Sequence, residues 1–338
     1  MKVSYEQECG AVVSIIVPIY NREKEIRNCI YNIVEQSYRA LQIILVNDGS
    51  TDSSGAICDE IAKEDDRIIV LHKANGGVSS ARNAGLNACT GKYVLFVDSD
   101  DYLHKEAISK LVCAAERECA DFVLFGFSYV NVDTGEQREN SPGITECYDT
   151  EEFIQKVCAE LINKEFFNPP WNKLILAKCI QDNKLRFNEA ISICEDMAFS
   201  LQLLACARRI GVQEDILYDY NIKETGSLVY KYNANFLEAL SYYRDCAAEC
   251  YEKYTCPDEM RDSIERISVN RLYVHFMKML GKVDLSNKKV YEELMTAYQK
   301  YELRELVKMS RTLRKVYFFF IEKRMFAISR LWSRIKGY

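Results

Sequence analysis

Residues 93–101 read YVLFVDSDD, an apolar run of strand length that ends in three carboxylates within four residues. Apolar at every position, the run suits a strand covered on both faces. Grouped acids repel one another and are costly at the edge of a core. They need a cation, a solvated rim or a set of hydrogen-bond donors. Open α/β sheets bind ligands just beyond the carboxyl ends of their strands. Whatever meets Asp98, Asp100 and Asp101 therefore bears on function.

The flanking sequence alternates strand and helix. AVVSIIVPI (11–19) is β-branched and too short for a helix, and a polar helix follows over about 22–36. QIILVN (42–47) is a second strand, closed by Asp48-Gly49, with STDSS (50–54) as a capping cluster. RIIVLH (67–72) is a third strand, and GGVSSARNAGLNA (76–88) a loop entering a helix. The pattern predicts an α/β fold with a mostly parallel sheet flanked by helices. Tyr20, Asp48 and Asp98–Asp101 each follow a strand end, so three segments converge on one edge. ADFVLFGFSYV (120–130) and GVQEDILYDYN (211–221) suggest further strands, and helical periodicity starts at Glu195-Asp196. Beyond Tyr230 the chain reads as long helices with almost no Gly or Pro. The expected organisation is a sheet domain over 1–229 and a helical region over 230–338.

Composition excludes several classes. The 338 residues, 48% hydrophobic and 28% charged, describe a globular chain with material for a substantial core. The fourteen cysteines include no CxxC pair, and the opening MKVSYEQECG is polar, so reduced thiols and a cytoplasmic location are expected. Three histidines and no Cys/His spacing argue against zinc. No apolar run approaches the roughly 20 residues of a membrane-spanning helix. No nucleic-acid partner is expected, and oligomerisation stays open. An EF-hand fails, because its sixth position from Asp98 is Leu103 instead of Gly and its twelfth is Ser109 instead of Glu. GxGxxG after the first strand and GxxxxGK[ST] are both absent. An Asp-Ser-Asp at a strand end remains. It suits a partly hydrated divalent cation shared with phosphate oxygens, or merely a solvated turn.

VSIIVPIYN, ILVNDGSTDSS, NGGVSSARNAGL and YVLFVDSDD, in this order and at these intervals, resemble glycosyltransferase family 2, whose fold is GT-A. The likeness covers residues 11–103 strongly and extends through WNKL (171–174) and EDMAF (195–199). It implies an inverting, metal-dependent transfer from a nucleotide sugar to a hydroxyl of a glycan or lipid-linked acceptor, of a bacterial surface-polysaccharide type. Tyr20 offers a face for base stacking. Asp48 can accept the N3–H of uracil, which favours a UDP-sugar. Arg82, in the first turn of a helix, would add a charge-assisted bond to the diphosphate. The resemblance gives Asp98 to the ribose or sugar and to the metal, and Asp100 to the metal (Mn2+ or Mg2+), with Asp101 in support. It gives Asp196 the role of base and Glu195 that of positioning the acceptor. It sets Trp171, Asn172 and Lys173 along the acceptor pocket. Each also has a plainer reading: a surface tyrosine, an Asp-Gly turn, a solvated arginine, helix-dipole acids, a buried tryptophan. Where relatives carry Tyr-x-Tyr-Arg-x-Arg, this chain has YDYNIK, with Asn221 and Lys223 in the arginine places. Lys223 is the remaining cation for the diphosphate. A non-catalytic sugar-nucleotide-binding scaffold is the alternative. A nucleotidyltransferase is a weaker one, since VPIYNREKEI lacks a Gly-rich, Arg-bearing loop.

The net charge of −6 conceals an uneven split. Residues 306–338 hold nine Lys/Arg against Glu322, a net +8, which leaves −14 for the rest. Leu306, Met309, Leu313, Val316 and Phe320 recur at helical spacing among those bases. The pattern predicts a helix lying on an anionic membrane surface, at the inner face of the cell membrane, or packing on protein.

Overall fold

The structure, a computed structural model, describes residues 10–223 and 235–282, together with 292 and 296. The expected boundary at 229–230 and the basic segment 306–338 lie outside the described residues.

The strands are β1 (Val13–Ile19), β2 (Leu41–Asp48), β3 (Ile68–Lys73), β4 (Tyr93–Phe96), β5 (Tyr102–Leu103), β6 (Phe122–Asn131), β7 (Gln137–Asn140), β8 (Glu146–Asp149), β9 (Lys173–Leu176) and β10 (Arg209–Ile222). The helices are α1 (Ile26–Val34), α2 (Ser54–Ile61), α3 (Gly77–Ala88), α4 (Ala107–Glu118), α5 (Thr150–Phe153), α6 (Ala159–Asn163), α7 (Ala177–Asp182), α8 (Glu195–Cys206), α9 (Phe236–Lys253) and α10 (Asp258–Lys282). The strands form one mixed sheet in the order β3-β2-β1-β4-β9-β6-β10-β5, with β7 on β6 and β8 on β10. The half made of β3, β2, β1 and β4 is parallel, whereas β9 runs antiparallel between β4 and β6. Helical α9 and α10 follow the sheet, α9 packing on α8 and α10 on α6.

Every residue of β1 and β2 is buried, which accounts for their largely apolar sequence. The two polar residues near their starts, Ser14 and Gln42, satisfy each other. Ser14 donates to Gln42 Oε1 at 2.6 Å, and that oxygen also accepts the Thr90 amide while Ser14 Oγ accepts the Gly91 amide. The pair thereby pins the turn that launches β4. Pro18 sits inside β1 without disrupting the ladder. Residue 16 turns its carbonyl to Val97 beyond β4, so residue 18 faces the same side, where the β4 pairing has ended at Phe96. Helix α3 lies hard against β1 because Gly85 allows it: a Cβ there would stand 2.3 Å from Ile16 Cγ2. That close approach brings the start of α3 to the carboxyl ends of the parallel strands.

Candidate active site

Each acid of the DSDD turn has its own partner. Asp98 Oδ1 accepts from Arg82 at 3.1 Å, and Arg22 Nε lies 3.3 Å from Asp100 Oδ2. Asp101, buried, accepts from the Tyr218 hydroxyl at 2.7 Å and from the Asn221 amide at 2.8 Å. The same hydroxyl accepts the Asp98 amide at 3.1 Å. Two arginines and a set of donors therefore meet the clustered charges. Burial, with Asp98 and Asp100 close by, pushes the Asp101 carboxyl well above the usual range. Burial also raises Asp100, and Arg22 offsets part of that rise.

Arg82 connects the acid turn to α8. Its side chain is only 6% exposed, and Nη1 stands 3.8 Å from Glu195 Oε1. The guanidinium lies 5.2 Å from the Phe187 ring centroid, and Phe187 stacks on Phe199 of α8 at 4.1 Å. The next residue, Asn83, clamps the incoming segment. It donates to the Phe187 carbonyl and to Glu189, and accepts the Phe187 amide. The Ala-Arg-Asn of α3 thus fixes both the DSDD turn and the approach to Glu195-Asp196. Glu195 is raised to about 7, first by burial and next by the Asp196 charge, with Arg82 opposing. Asp196 Oδ1 accepts the Met197 amide at 2.7 Å. Cys194, just before them, holds a left-handed φ of 61° that turns the chain into α8.

The remaining expected residues divide. Tyr20 is 48% exposed at the end of β1, its ring available to solvent. Asp48 is buried and already engaged: Oδ1 accepts from Lys73 at 2.5 Å and Gly76 at 3.0 Å, Oδ2 from Gly77 at 2.8 Å. It satisfies the first amides of α3, a use the Asp-Gly turn does not suggest. Arg82, expected to touch a diphosphate, meets Asp98 and Glu195, while its buried Nε and Nη1 have no hydrogen-bond partner among the described residues. Lys223 pairs with Glu25 at 2.7 Å, and Asn221 donates to the Asp100 carbonyl at 2.5 Å. Trp171 is buried, stacked on Tyr218 at 4.6 Å and Tyr220 at 5.1 Å. Asn172 and Lys173 are fully buried, so neither side chain reaches an open acceptor surface here. Asn172 donates to the Phe166 carbonyl at 2.7 Å. Lys173 donates to the carbonyls of Phe167 and Pro169 and to Asn172 Oδ1. Burial lowers the Lys173 amine well below its usual value, with Asp196 opposing. Its three acceptors nevertheless match the three donors of an ammonium.

Sequence reading missed Arg22, Lys73 and Tyr218. Arg22 and Lys73 each lie within three residues of a parallel strand end, a position that could have flagged them. Tyr218 carried the weaker signal of alternation in LYDYN.

A metal fits the acids in part. Asp98 Oδ2 and Asp100 Oδ1 make none of the described bonds, and hard carboxylate oxygens suit Mg2+ or Mn2+ with phosphate and water completing the shell. Among the described residues no group of three or more His, Cys, Asp or Glu forms a ready cage.

The glycosyl transferase family 2 model matches residues 14–189, just over half of the chain. The chain belongs to glycosyl transferase family 2. Within it, EpsJ of Bacillus subtilis (strain 168), an uncharacterized glycosyltransferase, is 35% identical over 235 residues, 68% of this chain and 64% of that one. The poly(ribitol-phosphate) beta-glucosyltransferase of Bacillus spizizenii is 29% identical over 239 residues, 68% of this chain but 35% of its own length. This family 2 chain therefore spans less than two thirds of either relative. A crystal structure of S. aureus TarS 1-349 with UDP-GlcNAc shares the fold, with TM-score 0.69 at 22% identity over 94% of this chain and 89% of that one. The GT-A expectation, including the helical region after the sheet, holds. Among the described residues no helix is long and apolar enough to cross a membrane.

Proposed function

We propose that the chain is an inverting, metal-dependent glycosyltransferase that moves a sugar from a UDP-sugar to a hydroxyl of a surface glycan or lipid-linked acceptor. The observation that carries this is the meeting, at the carboxyl ends of β1, β2 and β4, of Asp98, Asp100, Arg82 and the Glu195-Asp196 pair. Tyr20 stacks on the base. Asp48 takes the uracil N3–H once Lys73 turns away, since the carboxylate has about four acceptor positions and three donors hold it. Asp98 binds ribose or sugar. Asp100 and Asp98 would hold a divalent cation, which would supply positive charge to the diphosphate. Lys223 leaves Glu25 to add charge there.

In transfer, Asp196 removes the proton from the acceptor hydroxyl. The oxygen forms a bond to the anomeric carbon as the carbon–phosphate-oxygen bond breaks, UDP leaving with the electron pair, and the configuration inverts. Glu195, drawn to Arg82, orients the acceptor beside Asp196. Trp171, stacked on both Tyr218 and Tyr220, forms the wall behind it, and Asn172 and Lys173 keep that wall in place. TarS is recorded with UDP-GlcNAc, and a relative is named for poly(ribitol-phosphate). The first supports this donor class and the second a polymeric glycan or polyol-phosphate acceptor.

A panel of nucleotide sugars in a thermal-shift assay with Mn2+ tests the reading. UDP-sugars should raise the melting temperature and CDP-sugars should not, because cytosine has no N3 proton for Asp48. Equal shifts from both would refute the role of Asp48. No shift from any nucleotide sugar would refute the donor site.

A further inference from the structure

The loop after β1 is tied to the loop after β2. Asn21 holds a left-handed φ of 52°. Its amide donates to Ser50 Oγ at 3.1 Å, and its side-chain oxygen accepts the Thr51 amide at 2.8 Å. The Arg22 amide donates to Ser54 Oγ at 2.7 Å, and the Glu23 amide to Asp52 at 3.1 Å. The backbone of residue 22 is therefore fixed, while its side chain stays 43% exposed at the rim of the acid turn. The guanidinium itself is lightly held. Nε stands 3.3 Å from Asp100 Oδ2, and Nη1 meets the Asn21 carbonyl at 3.5 Å, the outer limit of a hydrogen bond. A guanidinium carries five donors in a planar fork, more than these two contacts use.

Two placements identify a further partner. Tyr20, whose ring takes the base in the proposed donor site, lies two residues upstream on the same fixed loop. Asp100, which with Asp98 would hold the cation, is the carboxylate that Arg22 touches. A diphosphate links the base end of a nucleotide sugar to its metal-held end, so it passes between these two positions, beside the Arg22 side chain. Charge supplies the drive. Each phosphate brings a negative charge to a turn that is already acidic, so cations beyond the metal are needed. Position 221 brings none, because Asn221 spends its amide on Asp101 and its side chain on the Asp100 carbonyl. A divalent cation at the turn would share Asp100 with the guanidinium, and like charges that close repel.

We propose that Arg22 is a donor-site residue that exchanges Asp100 for the diphosphate. Its fork neutralises Asp100 as seen here, and passes to a phosphate oxygen of the nucleotide sugar when a divalent cation occupies the acids. The assignment rests on the transferase reading above and adds a residue to its donor site. The fixed backbone and the exposed side chain suit this use, since the guanidinium swings without moving the loop that carries Tyr20. Arginine, with its planar fork, matches a phosphate as well as a carboxylate.

The test uses the full chain. Mn2+ alone, uridine alone, and UDP with saturating Mn2+ are each titrated calorimetrically into wild type, Arg22→Gln and Arg22→Lys. Arg22→Gln should bind Mn2+ alone several-fold more tightly, because the competing cation is gone. It should bind UDP with Mn2+ about tenfold to a hundredfold more weakly, the worth of one charge-assisted bond. Uridine, which lacks the diphosphate, should bind wild type and variant alike, whereas a merely structural role would weaken both ligands. Arg22→Lys keeps the charge but not the fork, so it should lose less UDP affinity. It carries the test if Arg22→Gln does not fold, through a loss confined to UDP. UDP affinity unchanged in the variants, or uridine weakened as much as UDP, overturns the assignment and leaves the donor site standing. Mn2+ alone bound no more tightly by Arg22→Gln than by wild type overturns the exchange. Failure of the wild type to bind UDP with Mn2+ would instead refute the donor site itself, and the assignment with it.

Discussion

Replacing Arg82 by Met keeps an unbranched stem against Phe187 and removes the charge between two carboxylates. Breaking a buried ion pair from one side costs about 3–5 kcal/mol, because a charge is left without compensation. The Asp98 side chain keeps 26% of its surface exposed, and the Glu195 contact is long at 3.8 Å. Both features place the cost at the lower end, about 3 kcal/mol at high pH. The pH dependence identifies the cause. Glu195, raised to about 7 in the wild type by burial and Asp196, loses the cation that opposes the rise. Its native pKa then climbs further above the unfolded value. A carboxyl of that kind is stable while protonated and loses stability as pH rises towards its native pKa. The variant and wild type should accordingly differ little through Glu195 below about pH 6 and diverge above 7. Urea unfolding at pH 5.5 and 8.5 measures this, with most of the loss expected at the higher pH. An equal loss at both would show that Arg82 acts without Glu195, through Asp98 or through packing.

Glu195→Gln should flatten the pH dependence of unfolding between 4.5 and about 7, where the wild type loses up to about 1.4 kcal/mol per pH unit from this carboxyl; urea midpoints across that range check it. Asp196→Asn should lower turnover by about 10² to 10⁴ with donor affinity unchanged, read by single-turnover UDP release and UDP titration. A parallel collapse of donor affinity would move Asp196 into the donor site. Tyr218→Phe keeps the stack on Trp171 but strips Asp101 and the Asp98 amide of their shared hydroxyl. It should cost about 1–3 kcal/mol in chemical unfolding.

Much of this sheet edge was legible in the sequence, for a physical reason. β1, β2 and β4 are buried on both faces, so past Ser14 and Gln42 their runs are apolar and their carboxyl ends are marked by polar residues: Tyr20 and Asn21 after β1, Asn47 and Asp48 at the end of β2, Asp98 after β4. Position along the chain then translates directly into position on one edge. The second half was less legible because β9 enters antiparallel between β4 and β6, a pairing set by tertiary contacts and not by local pattern. Partnerships were the least legible. A carboxylate at a strand end reads as a ligand site, but only the fold reveals that Lys73 and two glycine amides hold Asp48, or that Arg82 spans 98 and 195. Asn172 and Lys173 look polar and available, yet both turn inward because the loop before β9 leaves carbonyls that need donors.

The central claim is that the DSDD turn holds a nucleoside diphosphate through a divalent cation. Titrating UDP into wild type and Asp100→Ala, each with and without Mn2+, tests it directly. The account predicts that Mn2+ tightens UDP binding in the wild type and that the variant keeps only the metal-independent affinity while unfolding at a similar urea concentration. Mn2+ tightening UDP equally in both proteins would contradict it.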